Sequence, residues 1–248
     1  MIEMNNFVGV VVGGDWIIDQ NTGRMIYRVA DKSVFGTGFV VDSAKGIVLT
    51  NWHVIPDEAR KREYAFFLLD SLHGVRVTIV DNSSISRWAM NDVIAFRIKD
   101  ERGLPPNDLK TYPWYNSEVT LTQRVSVLGA PLNQYNGNNT VNSVTIRALT
   151  GFVVTTREDK CEIDCSIIQG MSGSPVCVNF ADGQGAIAGI AFENVKYALE
   201  MRTRERSITE SGDGKTIKEI SEYEEVLRFG VFYKYIAFSR WLGNVIAK

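Results

Sequence analysis

Three residues of this chain have the types needed for acyl transfer at a serine hydroxyl, and they lie far apart: His53, Asp92 and Ser172. Attack on a peptide carbonyl needs a hydroxyl made nucleophilic by a nearby base, a third group that fixes the base's tautomer, and N–H donors aimed at the developing oxyanion. Around Ser172 the chain reads Gln169-Gly170-Met171-Ser172-Gly173-Ser174-Pro175-Val176. Glycines on both sides let the backbone turn sharply, expose the hydroxyl and bring the N–H groups of Gly170 and Ser172 into one pocket. Alone, the same string also fits a serine in a tight turn before a strand. His53 follows the apolar run Ile47-Val48-Leu49-Thr50, at a strand end that equally suits a structural histidine. Asp92 stands just before Val93-Ile94-Ala95-Phe96-Arg97-Ile98, where a loop enters a buried strand and where an aspartate can also cap a turn. His73, in Leu72-His73-Gly74, is the rival base and reads as a turn residue.

The elements that must position these groups are extended. Short segments rich in Val, Ile, Thr and Phe, bounded by Gly, Asn and Asp, fall at 7–12, 38–41, 47–50, 75–80, 93–98, 125–128, 144–146, 176–178 and 187–191. That spacing predicts an all-β sandwich or barrel. The helical repeat is confined to the end, where Phe238, Trp241, Leu242, Val245 and Ile246 share one face of a helix over 238–247. Pro105, Pro106 and Pro113 mark a connector, because proline cannot donate to a sheet ladder, and this places a subdomain boundary near 100–118. The Asn- and Gly-rich stretch 133–143 reads as a surface loop. The stretch 196–225 is charge-rich, basic first and acidic later, as in a solvated hairpin or helix face.

Composition narrows the function classes. With 45% hydrophobic and 23% charged residues the chain can bury a sizeable core. A net charge of -2 without a long block of like charge argues against a nucleic-acid partner. No apolar run approaches the roughly 18–20 residues that span a bilayer, so no membrane partner is expected. Cys161, Cys165 and Cys177 are an odd set, unlike a disulfide framework, and the start Met1-Ile2-Glu3-Met4 lacks the features of a secretory signal. A cytoplasmic setting is the expectation. Two histidines and no CxxC pair leave little for a metal, and neither metal nor cofactor is expected.

Taken together, several strings resemble the trypsin/chymotrypsin-like serine peptidases, and within them the HtrA-like branch. They are Gly36-Thr37-Gly38-Phe39, Leu49-Thr50-Asn51-Trp52-His53-Val54, Asn91-Asp92-Val93-Ile94-Ala95, Val127-Leu128-Gly129-Ala130-Pro131, Gly170-Met171-Ser172-Gly173-Ser174-Pro175-Val176 and Ala188-Gly189-Ile190, in that order. Gly230-Val231-Phe232-Tyr233 and the stretch 238–242 are similar to that family's final strand and closing helix. The resemblance implies two six-stranded antiparallel β-barrels with a C-terminal α-helix. It puts His53 and Asp92 on a first barrel over 1–110, and Ser172 on a second over 111–248. Chain order separates this plan from an α/β-hydrolase, which needs a histidine after its serine.

The implied function is a serine endopeptidase acting on a protein or peptide substrate, with a dedicated substrate in a stress or defence setting as one form of it. The alternative is a catalytically silent domain of the same fold that serves as an interaction module. By the resemblance, Ser166 lies at the base of the primary specificity pocket, with Gly230 and Phe192, Glu193 and Asn194 as walls. An uncharged base predicts small or medium neutral side chains at the cleaved bond, with Phe192 narrowing the pocket. Met171 stands where many relatives carry an acidic residue for a newly cut N-terminus, so Val11-Val12-Gly13-Gly14 reads as ordinary strand and turn. Ser174 replaces a glycine. The branch it resembles usually continues into a PDZ peptide-binding domain, and none is expected here. The charged stretch 196–225 is expected to gate the cleft or dock a regulatory protein partner.

Overall fold

Runs of β-branched and aromatic residues interrupted by turn formers fold here into antiparallel strands. The computed structural model describes residues 4–29, 36–55, 63–70, 74–89, 91–131, 145–179, 185–209 and 216–248. In the first half these are β1 (Val8–Ile18), β2 (Met25–Val29), β3 (Gly36–Asp42), β4 (Ile47–Thr50), β5 (Glu63–Asp70), β6 (Gly74–Arg87) and β7 (Ile94–Lys99). They pair in the order β2-β1-β3-β4-β7-β6-β5, and pairing of β1 with β5, from Gly9 opposite Leu68 to Gly14 opposite Glu63, closes six of them into a barrel. β2 is a seventh strand lying on the outer end of β1, from Gly14 opposite Val29 to Ile18 opposite Met25. The turn expected at Gly13-Gly14 is therefore corrected: β1 runs straight through both. Gly14 passes so close to β2 that a Cβ there would sit 2.2 Å from the Arg28 carbonyl oxygen.

The second half holds β8 (Arg124–Gly129), β9 (Arg147–Thr156), β10 (Lys160–Ile163), β11 (Pro175–Asn179), β12 (Gly185–Thr209) and β13 (Thr216–Lys234), closed in the order β10-β13-β12-β11-β8-β9. Two closed six-stranded antiparallel barrels and one C-terminal helix result. β12 and β13 stay paired from Gly189 opposite Lys234 to Thr209 opposite Thr216, so the backbone of the charged stretch is a two-stranded arm rather than a helix. The strand expected at 144–146 begins instead at Arg147. The loop expected over 133–143 and the rival His73 lie outside the described residues.

Each barrel buries its own apolar face. Phe39, Leu49, Phe66, Phe96 and Ile98 fill the first, and Val127, Ile163, Val176, Ala188 and Phe232 the second. The connector after β7 ties them together: Pro113 carbonyl accepts from Ile187 N–H at 2.9 Å, and Tyr115 N–H donates to the Ile187 carbonyl at 2.8 Å. α1 (Tyr235–Ala247) follows β13 directly and buries Phe238 and Leu242, one turn apart. Burial of such a side chain contributes about 1.5–3 kcal/mol. Tyr235 stacks on Trp114 of the connector at 4.0 Å, and Phe238 meets Trp88 at 5.7 Å, so the helix seals the seam between the barrels.

Candidate active site

β4 ends at Thr50, and a single 3-10 turn, Trp52–Val54, buries Val54 while leaving His53 exposed. The turn is pinned to the loop before β7: Asn51 Nδ2 and Trp52 N–H both donate to the Asp92 carbonyl, at 2.7 and 3.3 Å. That loop is itself tight, with Ala89 at a φ of 45° and Asn91 N–H donating to the Trp88 carbonyl at 3.0 Å. The Asp92 carboxylate then accepts twice from residue 53, from its backbone N–H at 2.9 Å and from ring Nδ1 at 2.6 Å. An ionised carboxylate can only accept, so Nδ1 carries the proton and, in the neutral ring, Nε2 keeps its lone pair.

Ser172 lies between β10 and β11, in a turn made by Met171 N–H on the Ile168 carbonyl (2.9 Å) and Ser174 N–H on the Met171 carbonyl (3.1 Å). Gly170 and Gly173 have φ of 94° and 87°, a region that a side chain makes costly. Met171 is fully buried in the second core, and Ser172 beside it is half-buried. The N–H groups of Gly170 and Ser172 find no acceptor among the described residues. Gly173 presses on the first barrel: a Cβ there would lie 2.1 Å from the Thr37 carbonyl oxygen and 3.2 Å from Asn51 N, two residues before His53. The serine loop and the histidine turn are thus packed on one another. The Ser172 hydroxyl donates to the Phe192 carbonyl at 3.5 Å and makes no hydrogen bond to His53. The structure brings His53 and Asp92 into direct contact and sets Ser172 on the loop docked beside them.

The expected pocket walls are tied to one another. Ser166 Oγ donates to the Arg228 carbonyl at 3.2 Å, and Gly230 N–H to the Cys165 carbonyl at 2.9 Å. Asn194 bonds both main-chain groups of Ile167. Glu193 is exposed. The Phe192 ring is buried against Tyr233, stacked at 4.2 Å, with Lys160 Nζ 5.1 Å from its centroid; its carbonyl is what meets Ser172. Tyr233 reaches the other barrel, since the Asp92 backbone N–H hydrogen-bonds its phenol. Burial foremost raises the Tyr233 pKa, so the group stays a neutral phenol. Thr37 and Tyr233 lie in strings that carry the resemblance, yet their contacts, like those of Ile167, had no signal in the sequence: each acts through partners distant along the chain.

Among the described residues no group of His, Cys, Asp and Glu gathers as metal ligands, and no helix is long and apolar enough to cross a membrane. Cys161, Cys165 and Cys177 carry free thiols.

Comparison with known proteins agrees with this architecture. The chain is similar to the crystal structure of Rv3671c from M. tuberculosis, a serine-to-alanine mutant in an inactive form. The TM-score is 0.54 and the identity 15%, over 99% of this chain and 89% of that one, a likeness of fold. No curated protein matches. The family model of the trypsin-like peptidase domain matches residues 36–190. Because that match takes in more than half of the sequence, including the segments that carry residues 53, 92 and 172, the chain belongs to the trypsin-like peptidase family.

Proposed function

We propose that the chain is a serine endopeptidase, its halves 1–110 and 111–248 contributing His53 with Asp92 and Ser172 respectively. The observation that carries this reading is the 2.6 Å hydrogen bond from His53 to Asp92 on a turn against which the Ser172 loop is packed. Asp92 fixes the tautomer, and His53 Nε2 takes the proton from Ser172 Oγ as that oxygen attacks the substrate carbonyl. The N–H groups of Gly170 and Ser172 receive the oxyanion. His53 then gives the proton to the departing amine, and water repeats the sequence to release the acid. A 3.5 Å hydrogen bond is at the outer limit of strength, so rotating Ser172 Oγ away from the Phe192 carbonyl costs little. The substrate is a protein or peptide, with Ser166, Phe192, Glu193, Asn194 and Gly230 around the residue before the cleaved bond. The arm at 196–225 is assigned to docking a regulatory protein partner.

A second reading, a silent interaction module, is favoured by one observation: the hydroxyl rests on Phe192 rather than on His53. A fluorophosphonate probe separates the two. A tag on Ser172, found by mass spectrometry and lost in Ser172→Ala, supports the peptidase; an unlabelled, folded wild type supports the module.

A further inference from the structure

The geometry points to Thr37 as the positioning residue of the oxyanion loop, a role that rests on the peptidase reading above. Thr37 is fully buried in β3 of the first barrel, yet it makes four hydrogen bonds, two of them to the Ser172 loop. Its N–H donates to the Ser172 carbonyl at 2.8 Å, and its hydroxyl donates to the Gly170 carbonyl at 2.9 Å. The hydroxyl also accepts from Ala130 N–H at 3.0 Å, and the Thr37 carbonyl accepts from Thr50 Oγ1 at 2.7 Å. The Gly170 carbonyl can only accept and the Ala130 N–H can only donate, so the hydroxyl proton has one direction available.

The two carbonyls held by Thr37 bracket Met171. One fixes the plane of the peptide after Gly170, the other the plane of the peptide after Ser172, and the Ser172 N–H lies between them. Gly170 has no Cβ to stop its backbone rotating, and at a φ of 94° it stands where rotation is least hindered. The Thr37 hydroxyl supplies the restraint that glycine lacks. Oxyanion donors act only in the transition state, so loosening them lowers kcat and leaves substrate binding alone.

The test compares Thr37→Val, which keeps the shape and removes the hydroxyl, with Thr37→Ser, which keeps the hydroxyl. Steady-state kinetics and hydrogen exchange of the peptide spanning 169–174 are measured on the full chain. In the valine variant kcat falls about tenfold to hundredfold with KM within about twofold, as for a misplaced catalytic group. Exchange at 170–173 rises while the rest of the second barrel is unchanged, and serine restores both readouts. Wild-type exchange or kcat in a folded valine variant overturns the proposal, as does a serine variant that falls as far as valine. Should valine not fold, Thr37→Ala against Thr37→Ser decides in the same way. A wild type that takes no fluorophosphonate defeats the peptidase reading alone, because the exchange comparison still reads the clamp.

Discussion

Asn194 grips both main-chain groups of Ile167, accepting from the N–H at 2.6 Å and donating to the carbonyl at 2.7 Å. Asn194 lies opposite Gly230 in the β12–β13 ladder, and Gly230 is close enough to Ile167 that a Cβ there would lie 2.9 Å from Cδ1. The carboxamide thereby ties the β12 wall of the proposed specificity pocket to the residue after Ser166.

Asn194→Gly removes that bridge. The expected outcome is that kcat/KM for peptides with Leu or Phe before the cleaved bond rises about tenfold relative to Ala, the scale on which pocket size discriminates. A panel of peptides varied at that one residue checks this, and an unchanged ranking would show that the carboxamide does not set the limit.

Asp92→Asn keeps the shape of the side chain and the Asp92 carbonyl contacts to Asn51 and Trp52. It replaces an obligate acceptor with a group that can donate to His53 Nδ1, favouring the tautomer whose Nε2 carries the proton. Turnover should fall on the order of ten-thousandfold, with KM and the melting midpoint near those of wild type. A loss of less than tenfold would remove Asp92 from the mechanism.

The segments carrying residues 53, 92 and 172 were legible because each is a local pattern: an apolar strand ending at a polar residue, or glycines around a serine. β4 was bounded correctly for the same reason, all four of its residues being buried. β9 was misplaced, expected over 144–146 rather than Arg147–Thr156, since its residues alternate around a mostly exposed surface and Arg147, Thr150 and Thr155 dilute the apolar signal. β5 was hidden differently. Phe66 faces the first core and Phe67 a separate cluster with Val12 and Val29, so both faces are apolar and no period of two survives. The contacts that set the site, Thr37 to Gly170 and Asn194 to Ile167, join residues that only the closed barrels bring together, and no spacing rule reads them.

Gly173→Ala tests the packing of the serine loop on the first barrel. The left-handed φ of 87° costs an alanine about 1–2 kcal/mol by itself. The added Cβ also meets the Thr37 carbonyl oxygen at 2.1 Å and Thr50 Oγ1 at 2.4 Å, neither of which can retreat within the barrel. A lower urea midpoint and loss of fluorophosphonate labelling are expected together. An alanine variant with the wild-type midpoint would show that the loop is not docked as described.

Cys165 has its thiol pKa pushed up to about 11, by burial first and by the neighbouring Asp164 second. A group whose folded pKa is raised stabilises the fold fully below its unfolded value, and that contribution is lost as pH rises through the folded value. Burial also raises Cys177 and Tyr27, the latter donating its hydroxyl to the Val12 and Glu63 carbonyls at 2.8 and 3.0 Å. Stability should therefore decline from about pH 9 upward. Iodoacetamide should modify Cys165 much more slowly in the folded than in the unfolded chain at pH values below that. Equal rates would mean the thiol is not shielded.

Tyr233→Phe asks what holds the acid's loop from across the seam. The ring is fixed on three sides, stacked on Phe192 at 4.2 Å, edge-on to Trp88 at 5.4 Å and with Lys160 Nζ 5.0 Å away, so phenylalanine keeps the packing and loses only the hydroxyl. That removes the hydroxyl's hydrogen bond with the half-buried Asp92 backbone, a net loss of about 0.5–1.5 kcal/mol. For a chain of this size each kcal/mol lowers the melting midpoint by about 2–4 °C. The expected drop is several degrees by calorimetry, accompanied by a change in the downfield proton resonance of the His53 to Asp92 hydrogen bond. The resonance matters because a hydroxyl that only fills space would leave it where it is. An unmoved midpoint together with an unmoved resonance would mean that Tyr233 contributes to the seam through its ring alone.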